Sequence, residues 1–239
     1  MISVPAIYAV QMNKYSIQAN LEQVARWSAL VPIERALRIA RFRNWEDQWR
    51  SLAGDMLVSY VLRVKYRLPI HQMIFTQSAY GKPKLQGDEI QFNVSHSGVW
   101  TVVAFHSEAI GIDIEQIAMV DMELARSIFV NNEYEALCSQ PAHERDRMFY
   151  MIWTAKESYI KAVGKGLSIP LDSFSVASKQ EYSSASCIQS IVSEYGSTAY
   201  STNWHLTQLD LDPDYMLTVC TTATKWHAGL LVLDAAQLN

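Results

Sequence analysis

Asp113 and Glu115 alternate with Ile112 and Ile114 in the run Ile-Gly-Ile-Asp-Ile-Glu (110–115). On a strand, residues two apart leave the same face about 6.5 to 7 Å apart at Cα, so these two carboxylates are close enough to share one cation. Hard oxygen ligands of this kind suit Mg²⁺, which takes one or two carboxylates and fills its shell with water and substrate phosphates. Taken alone, the pair equally fits an acidic outer face of an antiparallel sheet. Forty residues on, Trp153, Glu157 and Lys161 recur at steps of four. On a helix they share one face, which presents a carboxylate and an ammonium together. The plain alternative is a surface ion pair worth about 0.3 to 0.5 kcal/mol beside a core tryptophan.

A third group is Ser95-His96-Ser97-Gly98, small polar residues closing the apolar strand 92–94. A hydroxyl and an imidazole at a strand end can donate to a phosphate, and a structural histidine would fit as well. A nucleophilic Ser95–His96 pair is disfavoured, because neighbours on a strand point to opposite faces. The turn Gly81-Lys82-Pro83-Lys84 offers two ammonium groups, and Arg35, Arg38 and Arg41 recur every third residue, with Arg50 further on. Together they can hold several phosphates, while each by itself fits a solvated surface charge. Neither the P-loop pattern nor G-x-G-x-x-G occurs, so a phosphate ligand is not held in those ways.

The elements that must position these groups are readable in outline. Pro32 followed by Ile33, Leu37 and Ala40 predicts a helix over 32–41, proline being tolerated in a first helical turn. Trp45, Trp49, Leu52, Met56, Tyr60 and Val64 form one apolar stripe and predict a longer helix. Short strands are predicted at 73–75, 91–94, 100–105 and 109–117, with a turn at 80–83. Helices follow at 122–129, 132–137 and 144–163, the last ending at Gly164. Strands at 174–177, 204–211 and 215–222 close the pattern, the last two joined by Asp212-Pro213-Asp214. Helix then sheet thus occurs twice, which predicts an α+β protein of two subdomains, 1–107 and 108–239.

Composition bounds the function. The chain has 239 residues, 49% of them hydrophobic, and a formal net charge of −4, enough for a sizeable core and against a general nucleic-acid binder. No segment reads as a signal peptide or a membrane span, so a cytoplasmic protein is expected. Cys138, Cys187 and Cys220 are scattered and fit structural thiols rather than a disulfide or zinc framework.

The joint order of the motifs carries more than any one of them: G-K-P (81–83), F-N-V-S-H-S-G (92–98), G-I-D-I-E (111–115) and W-T-A-K-E-S-Y-I-K-A-V-G-K-G-L (153–167). This series resembles the 4′-phosphopantetheinyl transferases of the surfactin-synthetase-activating type, and the likeness runs from Pro32 to the segment 172–176, with D-P-x-Y-x-x-x-V-C (212–220) beyond it. The resemblance implies two similar α/β subdomains about a pseudo-twofold axis, with coenzyme A in the cleft between them, in a monomer. It implies transfer of 4′-phosphopantetheine to a serine of acyl, peptidyl or aryl carrier proteins of fatty-acid, polyketide or peptide synthesis. Asp113, Glu115 and Glu157 match the magnesium ligands, Lys161 a residue at the α-phosphate, and His96 and Ser95 residues that hold phosphate oxygens. Lys82 and Pro83 of the G-K-P turn, Arg35, Arg38, Arg50 and Ser51 match the nucleotide and 3′-phosphate positions. Glu157, Lys161 and His96 are the expected catalytic residues. The family carries a histidine where this chain has Trp49. Two rival expectations use the same residues: a magnesium-dependent hydrolase of nucleotide pyrophosphates, and a non-catalytic module binding coenzyme A or a carrier.

Overall fold

The computed structural model describes residues 6–87, 89–176, 189–190, 204–223 and 229–238. The first half contains β1 (Ala6–Gln11), α1 (Ile17–Ser28), α2 (Ile33–Ile39), α3 (Trp45–Val64), β2 (Phe75–Gln77), β3 (Pro83–Leu85), β4 (Gln91–Ser97) and β5 (Trp100–His106). The second contains β6 (Ile110–Gln116), α4 (Met122–Ile128), α5 (Asn131–Ser139), α6 (Ala142–Val163), β7 (Gln189–Ser190), β8 (His205–Leu209), β9 (Tyr215–Thr221) and β10 (Gly229–Leu233).

Each half follows one plan, a long helix laid across a four-stranded sheet. The strand orders are β10-β1-β5-β4 and β6-β9-β8-β7, with β2 and β3 forming a separate hairpin. Pairing is antiparallel except between β1 and β10, where Ala6–Val10 run parallel to Gly229–Leu233. The second half, expected as 108–239, therefore does not stay on its own side: its last strand returns to the first sheet.

Strand alternation explains the layering. Tyr8, Val10, Val103 and Phe105 point to α3 and build one core with Trp49, Leu52, Leu57 and Val61. Ile7, Ala9, Val102 and Ala104 leave the opposite face and meet Ile110, Ile112, Ile114, Leu217 and Val219 of the second sheet. A third core lies under α6, around Ile152, Tyr159 and Ile160. Helix, sheet, sheet and helix are thus stacked. The two-residue alternation of Ile110, Ile112 and Ile114 places them between the sheets, and so turns Asp113 to the α6 side.

The predicted stripe of α3 is wider than its spacing implies. Ala53, Gly54, Val58 and Leu62 are buried as well, whereas Val64 is 45% exposed. The helix lies between the first sheet and α1, so two sides are covered. Trp49 is fully buried, its ring 5.5 Å from that of Trp27 and its Nε1 donating to Gln23 Oε1 at 2.8 Å. The sequence difference at Trp49 therefore falls in the core. Of the strand expected at 174–177, Ser175 makes an isolated bridge and Ala177 lies outside the described residues.

Two glycines set the position of α6. Gly164 caps its C-terminus with φ +76°, the left-handed conformation that glycine adopts without strain. Gly111 is where α6 touches β6: a Cβ there would stand 2.0 Å from Ser158 O and 2.4 Å from Ala162 N. Both obstacles are backbone, so Gly111→Ala lifts the helix off the strand, at an expected cost of about 3 kcal/mol. A thermal melt of that variant within a degree of the parent would contradict this packing.

Candidate active site

At one margin of the stacked sheets the strands β4 and β6 approach each other, and side chains bridge the gap. Asn93, Ser95 and Ser97 share one face of β4, and their oxygens accept the backbone N–H groups of Ile112 (2.9 Å), Ile114 (3.3 Å) and Gln116 (3.0 Å). The edge of the second sheet is thereby satisfied without backbone pairing. The same hydroxyls then turn to the acidic strand: Ser95 Oγ donates to Asp113 Oδ1 at 2.9 Å, and Ser97 Oγ to Glu115 Oε2 at 2.8 Å. From α6, Lys161 Nζ donates to Asp113 Oδ1 at 2.5 Å and to Ser95 Oγ at 2.9 Å. Ser95 thus uses its one proton and both lone pairs on protein partners.

Close approach of α6 at Gly111 brings Glu157 onto the same patch. Asp113, Glu115 and Glu157 all hold their protons more tightly than ordinary carboxyls. Burial is the first cause in each; for Glu115 and Glu157 the second is the charge of Asp113, while Lys161 opposes the shift in all three. Asp113 is 2% exposed, and its Oδ2 has no hydrogen-bond partner among the described residues. A buried anionic oxygen of this kind is costly unless a cation faces it. Among the described residues no three such side chains yet converge as metal ligands; with Lys161 on Oδ1, Oδ2 is the open position.

A cleft of about 1080 Å³ runs from this patch into the first half. Its walls include Arg35, Arg38, Arg50, Ser51, Pro83, Ser95 and His96 as well as Asp113, Glu115, Glu157 and Lys161. The structure therefore brings together every site residue that the resemblance implied except Lys82, whose ammonium is directed to backbone carbonyls of the second half; Arg41 and Lys84 do not line the cleft either. Phe75, Phe92, Val94 and Trp153 add apolar surface. Trp153 also stacks on Phe149 at 6.0 Å between ring centres.

Several contributors were not evident from local spacing. Asp55 accepts from Arg35 Nε at 2.7 Å, while Arg35 Nη2 donates to Ser51 Oγ at 2.9 Å, so the guanidinium is aimed before any ligand arrives. Burial raises the Asp55 carboxyl above its usual range, against the pull of Arg35. Arg50 is held by Asp47 and donates to Gly98 O at 2.7 Å. His96 lies across the strand from Ser95 and opens to the cleft; burial first, then the charges of Arg50 and Lys161, hold its pKa below the usual histidine range. The ring is thus neutral near pH 7, with a nitrogen-bound proton to donate.

Such a cleft, lined by arginines as well as by a cluster of carboxylates, suits a ligand with several phosphates whose reacting group meets the carboxylates. Comparison with known proteins agrees. Residues 109–220 match the 4′-phosphopantetheinyl transferase superfamily, and residues 18–108 match a family described as 4′-phosphopantetheinyl transferase, N-terminal. The chain is 35% identical over 233 residues to 4′-phosphopantetheinyl transferase Sfp of Bacillus subtilis (strain 168), covering 97% of this chain and 99% of that protein. It is 33% identical to 4′-phosphopantetheinyl transferase psf-1 of Bacillus pumilus, covering 95% of both. With the two-lobed α+β fold, the shared motifs and this near full-length similarity, the chain belongs to the 4′-phosphopantetheinyl transferases of the Sfp type and is a transferase.

Proposed function

We propose that this chain transfers the 4′-phosphopantetheine arm of coenzyme A to a serine hydroxyl of an apo carrier protein and releases adenosine 3′,5′-bisphosphate. The observation that carries this reading is one cleft lined by Arg35, Arg38 and Arg50 together with Asp113, Glu115, Glu157 and Lys161. A ligand with a pyrophosphate and a further phosphate suits such a lining, which offers cations for phosphates and carboxylates for a metal-assisted reaction. The cleft draws its walls from both halves of the chain, the arrangement that the resemblance implies for a monomer. No helix among the described residues is long and apolar enough to cross a membrane.

In the transfer, the carrier serine oxygen bonds to the β-phosphorus and the bond from that phosphorus to the bridging oxygen breaks. The electron pair leaves with adenosine 3′,5′-bisphosphate. Glu157, whose carboxylate lines the cleft one helical turn from Lys161, is the candidate base for the serine proton. Lys161 faces the leaving phosphate and stabilises its growing charge. His96 donates its ring proton to a phosphate oxygen, and Arg35, whose Nε and Nη2 are taken by Asp55 and Ser51, offers its Nη1 to the nucleotide phosphate. Ser95 and Ser97 orient the carboxylates. The donor set fits a hard divalent cation: Asp113, Glu115 and Glu157 would hold Mg²⁺, which supplies charge neutralisation at the pyrophosphate oxygens.

His96 gives a pH signature. An anion beside the imidazole favours its charged form, so binding adenosine 3′,5′-bisphosphate raises its depressed pKa and takes up a proton. Affinity should therefore increase as pH falls through the histidine range, and His96→Gln should flatten that dependence. Calorimetry in buffers of different ionisation enthalpy reads the uptake. No uptake in the parent would remove His96 from the phosphate site.

The function is tested by following adenosine 3′,5′-bisphosphate release with and without apo carrier protein. Release only with carrier supports transfer. Equal release without carrier would make the protein a pyrophosphate hydrolase, and binding of coenzyme A without any release would make it a binding module.

A further inference from the structure

Lys82 sits in the turn leading into β3, in the first half of the chain, yet its ammonium is directed to the second half. Nζ donates to Lys161 O at 2.7 Å, Ile110 O at 3.0 Å and Ala162 O at 3.4 Å. An ammonium has three protons, and all three are used.

The acceptors are special places in the fold. Lys161 and Ala162 lie in the last turn of α6, where carbonyls lack intrahelical donors and the helix dipole is negative; the N–H of Gly164 takes Ile160 O at 2.9 Å and leaves these two. Ile110 begins the strand that carries Asp113 and Glu115. Lys161 is the residue whose own ammonium holds Asp113. One cation from the first half therefore joins the end of the helix bearing Glu157 and Lys161 to the start of the strand bearing the other two carboxylates. The helix ends at Gly164, where an added Cβ would stand 3.2 Å from Lys82 Cδ, so the lysine stem packs along the cap itself.

We propose that Lys82 is a positioning residue of the transfer site, an interlobe cap on α6 that sets Glu157 and Lys161 against Asp113, rather than a contact to the nucleotide. This inference rests on the transferase reading of the cleft. Burial, with Lys84 nearby, lowers the Lys82 pKa to about 8, the mark of a cation that has exchanged water for protein acceptors.

Lys82→Met keeps the stem and removes the donors. The expected result is a fall in kcat for carrier modification of about ten- to a hundredfold, as misplacement of a reacting group by a fraction of an ångström can produce. The KM for coenzyme A and the Kd of adenosine 3′,5′-bisphosphate should stay within about twofold, and Lys82→Arg, which keeps donors but in a larger planar group, should recover part of kcat. A tenfold or greater loss of affinity for the bisphosphate, or an unchanged kcat, would overturn the proposal. Should Lys82→Met not fold, reductive methylation of the parent protein decides. A capping Lys82 stays slow to react with and without the bisphosphate, whereas a nucleotide contact reacts readily when free and is protected when bound. A parent protein with no transfer activity would refute the proposed function instead, and the methylation result would still judge the cap.

Discussion

Asp113→Asn is expected to lower kcat/KM for carrier modification by about 10² to 10³-fold, the scale of losing a preorganised electrostatic group at a phosphate site. The shape of the residue is retained, so Ser95 can still bond it, but the anion facing Lys161 is gone and the patch loses its most buried charge. Stability should change little. The carboxylate is costly to bury, as its raised pKa shows, while Lys161 is partly exposed and can be solvated once unpaired. Steady-state kinetics together with a thermal melt separate the two effects. Retained activity, or a loss explained by unfolding, would contradict the role given to Asp113.

The largest stability effect is expected elsewhere, one residue before Glu157. Lys156 and Glu133 form an ion pair at 2.8 Å with both side chains fully buried. Lys156 also donates to Leu171 O at 2.8 Å and Phe174 O at 2.6 Å and lies 4.4 Å from the Phe174 ring centre. Glu133 in turn accepts the backbone N–H groups of Val130 and Val176. The pair thus fastens α5, α6 and the segment 171–176 to one another. Lys156→Met leaves a buried carboxylate without its cation, and the expected cost is about 3 to 5 kcal/mol, or roughly 6 to 20 °C in melting temperature for a chain of this size. Adding Glu133→Leu to it should recover much of the loss, because two apolar side chains leave no unpaired charge. A double variant no more stable than Lys156→Met would show that packing, not the charge, governs this region.

How much of this was legible beforehand depended on distance along the chain. Periodicity located α3, β6 and α6 within two residues, because their signals are local: alternate isoleucines, steps of three and four, and a glycine stop. β1, α1 and β10 were not anticipated. The parallel pairing of Ala6 with Gly229 joins segments at opposite ends of the sequence, and nothing within either segment announces the other. The same holds for charges. Arg35 could be seen as cationic, but its aim depends on Asp55, twenty residues away, and the position of Lys82 depends on carbonyls near residue 161. Asn93, Ser95 and Ser97 were visible as alternate polar residues, yet their purpose appears only when a second sheet brings unpaired N–H groups to that face. The motifs survived because their chemistry is carried within a few residues; their supporting contacts are long-range.

The most direct test of the account is the intact mass of an apo carrier protein after incubation with this chain, coenzyme A and Mg²⁺, alongside Glu157→Ala and EDTA controls. The expected result is a gain of one phosphopantetheine per carrier, abolished by the variant and by the chelator. Carriers that stay unmodified by a folded sample that binds coenzyme A, or modification that persists with Glu157→Ala, would contradict it.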